Sequence, residues 1–146
     1  MPDQVGGHKD DWREARKEAA ATHARELERR RRAESAQARA LIAEFVAEAN
    51  RRRVEPVPLY ARSYDGRFRY RTPLSGWYLR RNESAAVGTD GEFYVLSVPR
   101  RLSSLVTGAH PEPDDPPLIL GKGARDGESI DLVDALRIAL GDEPRR

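Results

Sequence analysis

The apolar positions of this chain fall into three patterns. Between Lys9 and Arg39 there is no sustained stripe: Trp12 and Leu27 are the only large apolar residues. The stretch from 9 to 53 nevertheless has no Pro or Gly and is rich in Ala, Glu and Arg, which predicts a helix. Leu41, Ile42, Phe45, Val46 and Ala49 then follow an i, i+1, i+4, i+5, i+8 pattern, an apolar stripe that docks on a core. Residues 57–98 switch to short alternating runs separated by turn signals, which predicts strands. Five are expected: Val57–Tyr64, Arg67–Thr72, Trp77–Arg81, Ala85–Thr89 and Glu92–Val98, with Asp65-Gly66 and Asp90-Gly91 as tight hairpin turns. Phe68, Tyr70, Trp77, Phe93 and Val95 are expected inside.

After Pro99 the pattern weakens. A helical turn at 102–106, a Pro-rich acidic loop at 110–117 and a short strand at 118–120 precede a final helix at 130–140. Ser129 is its expected cap, Asp131 lies in its first turn, and Ile130, Val133, Leu136, Ala139 and Leu140 form its buried face. The predicted fold class is α+β: a long N-terminal helix, a curved five-stranded antiparallel sheet or small barrel, and a short C-terminal helix. The predicted organisation is an exposed charged helical arm at 1–37, disordered over 1–8, and one α+β domain at 38–146 with its helix end at 38–53 and its sheet at 57–98.

Composition supports that division. Of 37 large apolar residues, 29 follow Arg53, so the second part holds the core. There is no Cys, which excludes disulfides, thiol nucleophiles and thiolate zinc sites. No apolar run reaches spanning length and the polar N-terminus has no signal-like core, so a cytoplasmic protein without membrane contact is expected. The 23 Arg against 3 Lys, with 19 Ala, fit GC-rich coding and a bacterial source. Net charge is +2, but residues 110–146 carry 9 acids against 5 bases, so a basic front meets an acidic tail.

Candidate chemistry is thin. In the register set by a two-residue Asp65-Gly66 loop, Ser63, Ala61, Leu59 and Val57 face Phe68, Tyr70, Thr72 and Leu74 on the core side. The other side pairs Tyr64 with Arg67, Arg62 with Arg69 and Tyr60 with Arg71, with no acid among them. Rings that stack on bases beside guanidinium groups that hold phosphates are the mixture of single-strand-binding sheets. Solvated Tyr–Arg packing, a seat for the acidic C-terminal part, and a protein partner are the other readings. Arg29, Arg30, Arg31 and Arg32 make the helix a second nucleic-acid candidate, although interleaved glutamates weaken its field. Gly121, Lys122, Gly123 and Arg125 form a glycine loop ahead of a helix, a weak phosphate candidate whose spacing matches no nucleotide-binding motif. His8, His23 and His110 are scattered; no metal, cofactor or catalytic constellation is expected.

The triplet Trp77-Tyr78-Leu79, with Pro58-Leu59 and the Gly66-Arg67 turn upstream, resembles the small-barrel ligand-sensing domains of bacterial regulators named for that triplet. The likeness spans too few residues to carry any role across, and no family is assigned. The leading expectation is a non-enzymatic module that contacts RNA or single-stranded DNA through the hairpin face and the arm. The alternative is a protein–protein adaptor or assembly factor that uses the N-terminal helix, including self-association. Small phosphate-ligand binding at 121–127 is third.

Overall fold

The computed structural model describes residues 3–121 and 128–142. The chain divides into two compact units, Met1–Glu34 and Ser35–Arg146. Helix α1 spans Asp3–Arg52, beginning before the expected start near Lys9. Within the first unit, every residue from Gly7 to Ala33 is exposed.

Within the second unit, the α1 residues buried are Ser35, Ala38, Ile42, Phe45 and Ala49, with Leu41 and Val46 half-buried. The spacing alternates three and four, so one narrow face of the helix packs. Small residues at 35 and 38 extend the contact N-terminally beyond the large-residue stripe. The helix ends before either proline: Arg53 takes φ +57, and the Val54 N–H reaches back to the Ala49 carbonyl at 2.9 Å. This is a Schellman-type stop made without glycine, and it turns Val54 onto the core.

Five strands follow: β1 (Val57–Ser63), β2 (Arg69–Tyr78), β3 (Ala85–Gly88), β4 (Phe93–Val95) and β5 (Ser97–Val98), in the order β4-β3-β2-β1-β5. The sheet is mixed, because β1 and β5 run parallel, and it is not closed into a barrel. Both points correct the sequence expectation. The expected second and third strands are one strand, β2. Ser75-Gly76 reads as a turn but is strand interior, where a Cβ on Gly76 would lie 2.0 Å from the Val87 carbonyl oxygen. The expected fifth strand is two. Leu96 separates them, its N–H bonded to the Ser84 carbonyl and its carbonyl accepting from the Arg62 N–H, each at 2.8 Å. β4 and β5 therefore sit on opposite edges with one residue between them, and the sheet curls.

The hairpin register holds at its tip end: Tyr60 faces Arg71, Ala61 faces Tyr70 and Arg62 faces Arg69. It fails at the base, where Val57 faces Gly76 rather than Leu74. Pro73 has no N–H to donate, and β2 carries two extra residues in a bulge there. The bulge is satisfied locally: Thr72 Oγ1 donates to the Leu59 carbonyl at 2.6 Å, and the Tyr60 N–H donates to the Tyr78 phenol oxygen at 2.8 Å.

Side chains from the two sheet faces enter separate clusters. Trp77, Leu79, Ala85, Val87 and Phe93 pack with α1 and with helix α3 (Leu132–Ala139). Leu59, Ala86, Tyr94 and Leu96 fill the other face. Val95 is exposed, contrary to expectation, at the end of β4, and Phe68 is only half-buried.

A helical turn, α2 (Ser104–Thr107), lies beside β2. A two-stranded ladder, β6 (Ile119–Leu120) with β7 (Ile130–Asp131), precedes α3. Because Ile130-Asp131 is extended, Asp131 rather than Ser129 is the N-cap residue of α3, and its side chain makes no capping bond. The buried residues of α3 are Leu132, Ala135 and Leu136, while Val133 is exposed. Of the expected face, Leu136 is buried and Ile130, Ala139 and Leu140 are half-buried against the core, so Val133 alone falls outside it. Gly141 at φ +87 stops the helix, and Asp142 beyond it pairs with Arg52 at 2.9 Å.

Candidate nucleic-acid interface

The β1–β2 hairpin presents the candidate face. Its turn is built by Asp65, whose carboxylate accepts from the Arg67 N–H at 3.1 Å and from the Ser63 hydroxyl. Those bonds hold the Asp65 carboxyl below the usual carboxylate range. Gly66 takes φ +72 and donates its N–H to the Ser63 carbonyl at 2.8 Å. Asp90-Gly91 builds the second hairpin by the same device, with the Glu92 N–H on the Asp90 carboxylate at 2.9 Å. Both turns span more residues than a two-residue loop, so Tyr64 and Arg67 flank the tip and form no ladder pair.

Inward, Leu59, Ala61, Ser63 and Tyr70 are buried. Outward, Tyr64, Arg62, Arg67, Arg69 and Arg71 are exposed and Tyr60 is half-buried. Within the second unit, no helix among the described residues covers them. The acidic C-terminal part is engaged elsewhere: Asp115 pairs with Arg39 and Asp142 with Arg52, both on α1. It is therefore not seated on the hairpin, among the described residues.

Five contacts organise the face and its tip. The Arg69 guanidinium lies 3.9 Å from the centre of the Tyr60 ring, a cation–π contact between neighbouring strands. Arg62 and Arg69, directly opposed across the ladder, both approach Glu83 Oε2, at 3.3 and 3.7 Å. Glu83 comes from the connection between β2 and β3, at φ +59. It corrects the expectation that the face holds no acid. At the tip, Arg100 stands 4.4 Å from the Phe68 ring centre and 3.5 Å from Asp65. The side chains of Arg67 and Arg71 have no ion-pair partner among the described residues.

Glu83 and Arg100 were not legible as site residues. Glu83 is a polar residue of a turn in sequence, and only the curl of the sheet delivers it to β1. Arg100 follows a proline with no periodic pattern around it.

On α1, Arg29 pairs with Glu26, and Arg31 and Arg32 share Glu28 at 3.9 and 3.3 Å, while Arg30 has no partner among the described residues. The interleaved glutamates thus neutralise much of the run. Of the glycine loop only Gly121 is described, at φ +80; Lys122, Gly123 and Arg125 lie outside the described residues. A cleft of about 900 Å³ opens between the Leu79–Asn82 connection and α3, and there Arg80 donates to the Glu128 carbonyl at 2.7 Å. No group of three or more metal-ligating side chains occurs among the described residues, and no helix among them is long and apolar enough to cross a membrane.

Within the Trp77-Tyr78-Leu79 triplet, Trp77 and Leu79 are core. The Trp77 indole N–H donates to the Val54 carbonyl at 3.0 Å, and Tyr78 serves the bulge at Tyr60. These roles account for the triplet by packing alone. No family model, no curated protein and no solved structure matches this chain.

Proposed function

We propose that the outer face of the β1–β2 hairpin binds single-stranded nucleic acid, RNA or DNA, weakly and with little sequence preference. One observation carries the reading: four guanidinium groups and two phenol rings line the hairpin ladder and its tip beside two carboxylates, Glu83 and Asp65. Exposed rings stack on bases of any identity, and guanidinium groups pair with backbone phosphates in place of released counterions. The arm contributes less, because three of its four consecutive arginines already pair along the helix.

The test is fluorescence anisotropy of a labelled 12-nucleotide oligo-dT and of its RNA counterpart, at low and physiological salt. The expected log–log salt slope is about −2 to −4, the range for three to five phosphate contacts. Arg67→Glu/Arg71→Glu should abolish binding, and removal of residues 1–34 should weaken it only modestly. Absence of binding at low salt, or binding indifferent to the double substitution, refutes the reading.

A second reading rests on the arm. Trp12 and Leu27 are 63% and 49% exposed in the Met1–Glu34 unit, offering apolar contacts to a partner helix or a second copy. Sedimentation velocity with and without the arm tests it; an unchanged monomer in both, with no partner-helix binding, removes it.

A further inference from the structure

We infer that Glu83 occupies a phosphate seat: its carboxylate stands where one backbone phosphate of a bound strand comes to lie, between Arg62 and Arg69, and the phosphate displaces it. The inference rests on the nucleic-acid reading of the hairpin face and identifies which part of that face holds the backbone.

The seat is made by the ladder. Arg62 and Arg69 are direct cross-strand partners, so their guanidinium groups start from neighbouring Cα positions on one side of the sheet. Like charges so placed repel unless an anion lies between them. The chain supplies one, Glu83 Oε2, and both guanidinium groups converge on that single oxygen. Arg69 is further fixed by the Tyr60 ring, 3.9 Å from its guanidinium carbon, so the seat is oriented before any ligand arrives.

The carboxylate fits this seat loosely. Its contacts of 3.3 and 3.7 Å exceed the 2.7–2.9 Å of a well-made charge-assisted bond. Both arginines remain open to solvent, at 44% and 52% side-chain exposure. A phosphodiester has two non-bridging oxygens that share the charge and can meet one guanidinium each, whereas here one carboxylate oxygen serves both.

Displacement needs no refolding. The connection is held by its backbone and by Asn82: the Glu83 N–H donates to the Arg80 carbonyl at 3.0 Å, and Ser84 donates from N and Oγ to Asn82 Oδ1 at 3.1 and 2.6 Å. None of these bonds uses the Glu83 side chain, which is 26% exposed, so its departure would leave the connection's own bonds intact. The positive φ at Glu83 is a conformation that few non-glycine residues adopt, and it sets the Cβ direction from which the carboxylate reaches Arg62 and Arg69.

The test uses the full chain as wild type, Glu83→Gln and Glu83→Gly, the last tolerating the positive φ without a side chain. Two probes are applied: inorganic phosphate, read by the Nε–Hε resonances of Arg62 and Arg69 in ¹⁵N–¹H spectra, and the labelled oligo-dT, read by anisotropy. Phosphate at millimolar concentration should move both resonances in the two variants and leave them in place in wild type. Oligo-dT should bind the variants about tenfold more tightly at low salt, as expected for one freed charge-assisted contact. The log–log salt slope should stay as in wild type, short of the ~0.7 that one further phosphate on a single strand would add, because the same phosphate fills the seat in all three proteins. Phosphate shifts that are equal or absent in all three proteins overturn the seat, because Glu83 then acts as a distant charge, and a slope steeper by about 0.7 in the variants overturns displacement, because wild type then leaves the seat unfilled. Affinity unchanged in Glu83→Gln, with wild-type binding intact and sensitive to Arg67→Glu/Arg71→Glu, also overturns the seat while leaving the nucleic-acid reading standing. No oligonucleotide binding in any protein removes that reading and the seat with it.

Discussion

Phe45→Ala tests how α1 is anchored. Phe45 is 3% exposed, and its ring meets Trp77 edge-to-face, with centroids 5.4 Å apart and planes at 89°. Truncating a buried Phe costs about 3–5 kcal/mol, from lost transfer free energy and the cavity left behind. The edge contact adds about 0.5–1.5 kcal/mol beyond area, which places the expected loss in the upper half of that range. The cavity cannot collapse easily, because its far wall is Trp77, tied to Val54 through its indole N–H. With a urea m-value of about 2 kcal/mol/M, the midpoint should fall by about 2 M. The assay is equilibrium urea unfolding followed by Trp77 fluorescence. The background is Trp12→Phe, since the chain has two tryptophans and Trp12 is exposed. Leu27→Ala, at a half-exposed residue of the first unit, is the control and should stay within about 0.5 kcal/mol. A loss below about 1 kcal/mol for Phe45→Ala would show that this face of α1 is not anchored as described.

Three further outcomes follow from particular contacts. Deletion of residues 1–34 should leave the thermal midpoint nearly unchanged, since residues 7–33 bury no side chain; a fall of many degrees refutes this. Gly76→Ala should cost about 3 kcal/mol in a thermal melt, near the upper end of overpacking, because the new Cβ would meet backbone atoms, Val87 O at 2.0 Å and Gly88 Cα at 2.8 Å; a neutral result would mean that β2 and β3 are not in close register. Burial, with help from the hydrogen bond to Asp90, pushes the Tyr94 phenol up from 10.0 to about 12. The fold favours the neutral phenol, so that stabilisation is full below pH 10 and is lost as pH rises through about 12. Tyr94→Phe should remove a late component of the 295 nm titration, and an identical titration curve refutes the assignment.

The parts of the structure that could be read in the sequence are those set by neighbouring residues. Asp65-Gly66 and strict alternation placed Tyr60, Arg62, Arg69 and Arg71 on one side, because a turn and a period of two leave little choice once one face is apolar. The large-residue stripe of α1 was visible for the same reason. What escaped depends on distant backbone. Gly76 looks like turn punctuation but allows Val87 to approach. β5 is two residues long, too short for any pattern, and its parallel partner lies 35 positions earlier in the chain, where Arg62 faces Ser97. The late start of α3 came from β7, which uses Ile130 and Asp131 as strand. Glu83 was invisible as a member of the arginine face, since the turn that holds it is distant in sequence from Arg62.

The single residue between β4 and β5 has a mechanical consequence. A sheet whose two edge strands are consecutive in the chain cannot flatten without breaking covalent continuity or surrendering an edge. Its curvature is enforced by chain connectivity as well as by side-chain preference. Flat exposed edges are the templates onto which other chains add strands. Here the leash at Leu96 draws both edges toward one another and shortens β4 and β5 to three and two residues. Lengthening that leash by a few flexible residues would release the edges, and growing aggregation during storage, with native secondary structure retained at the outset, is the behaviour expected of such an insertion.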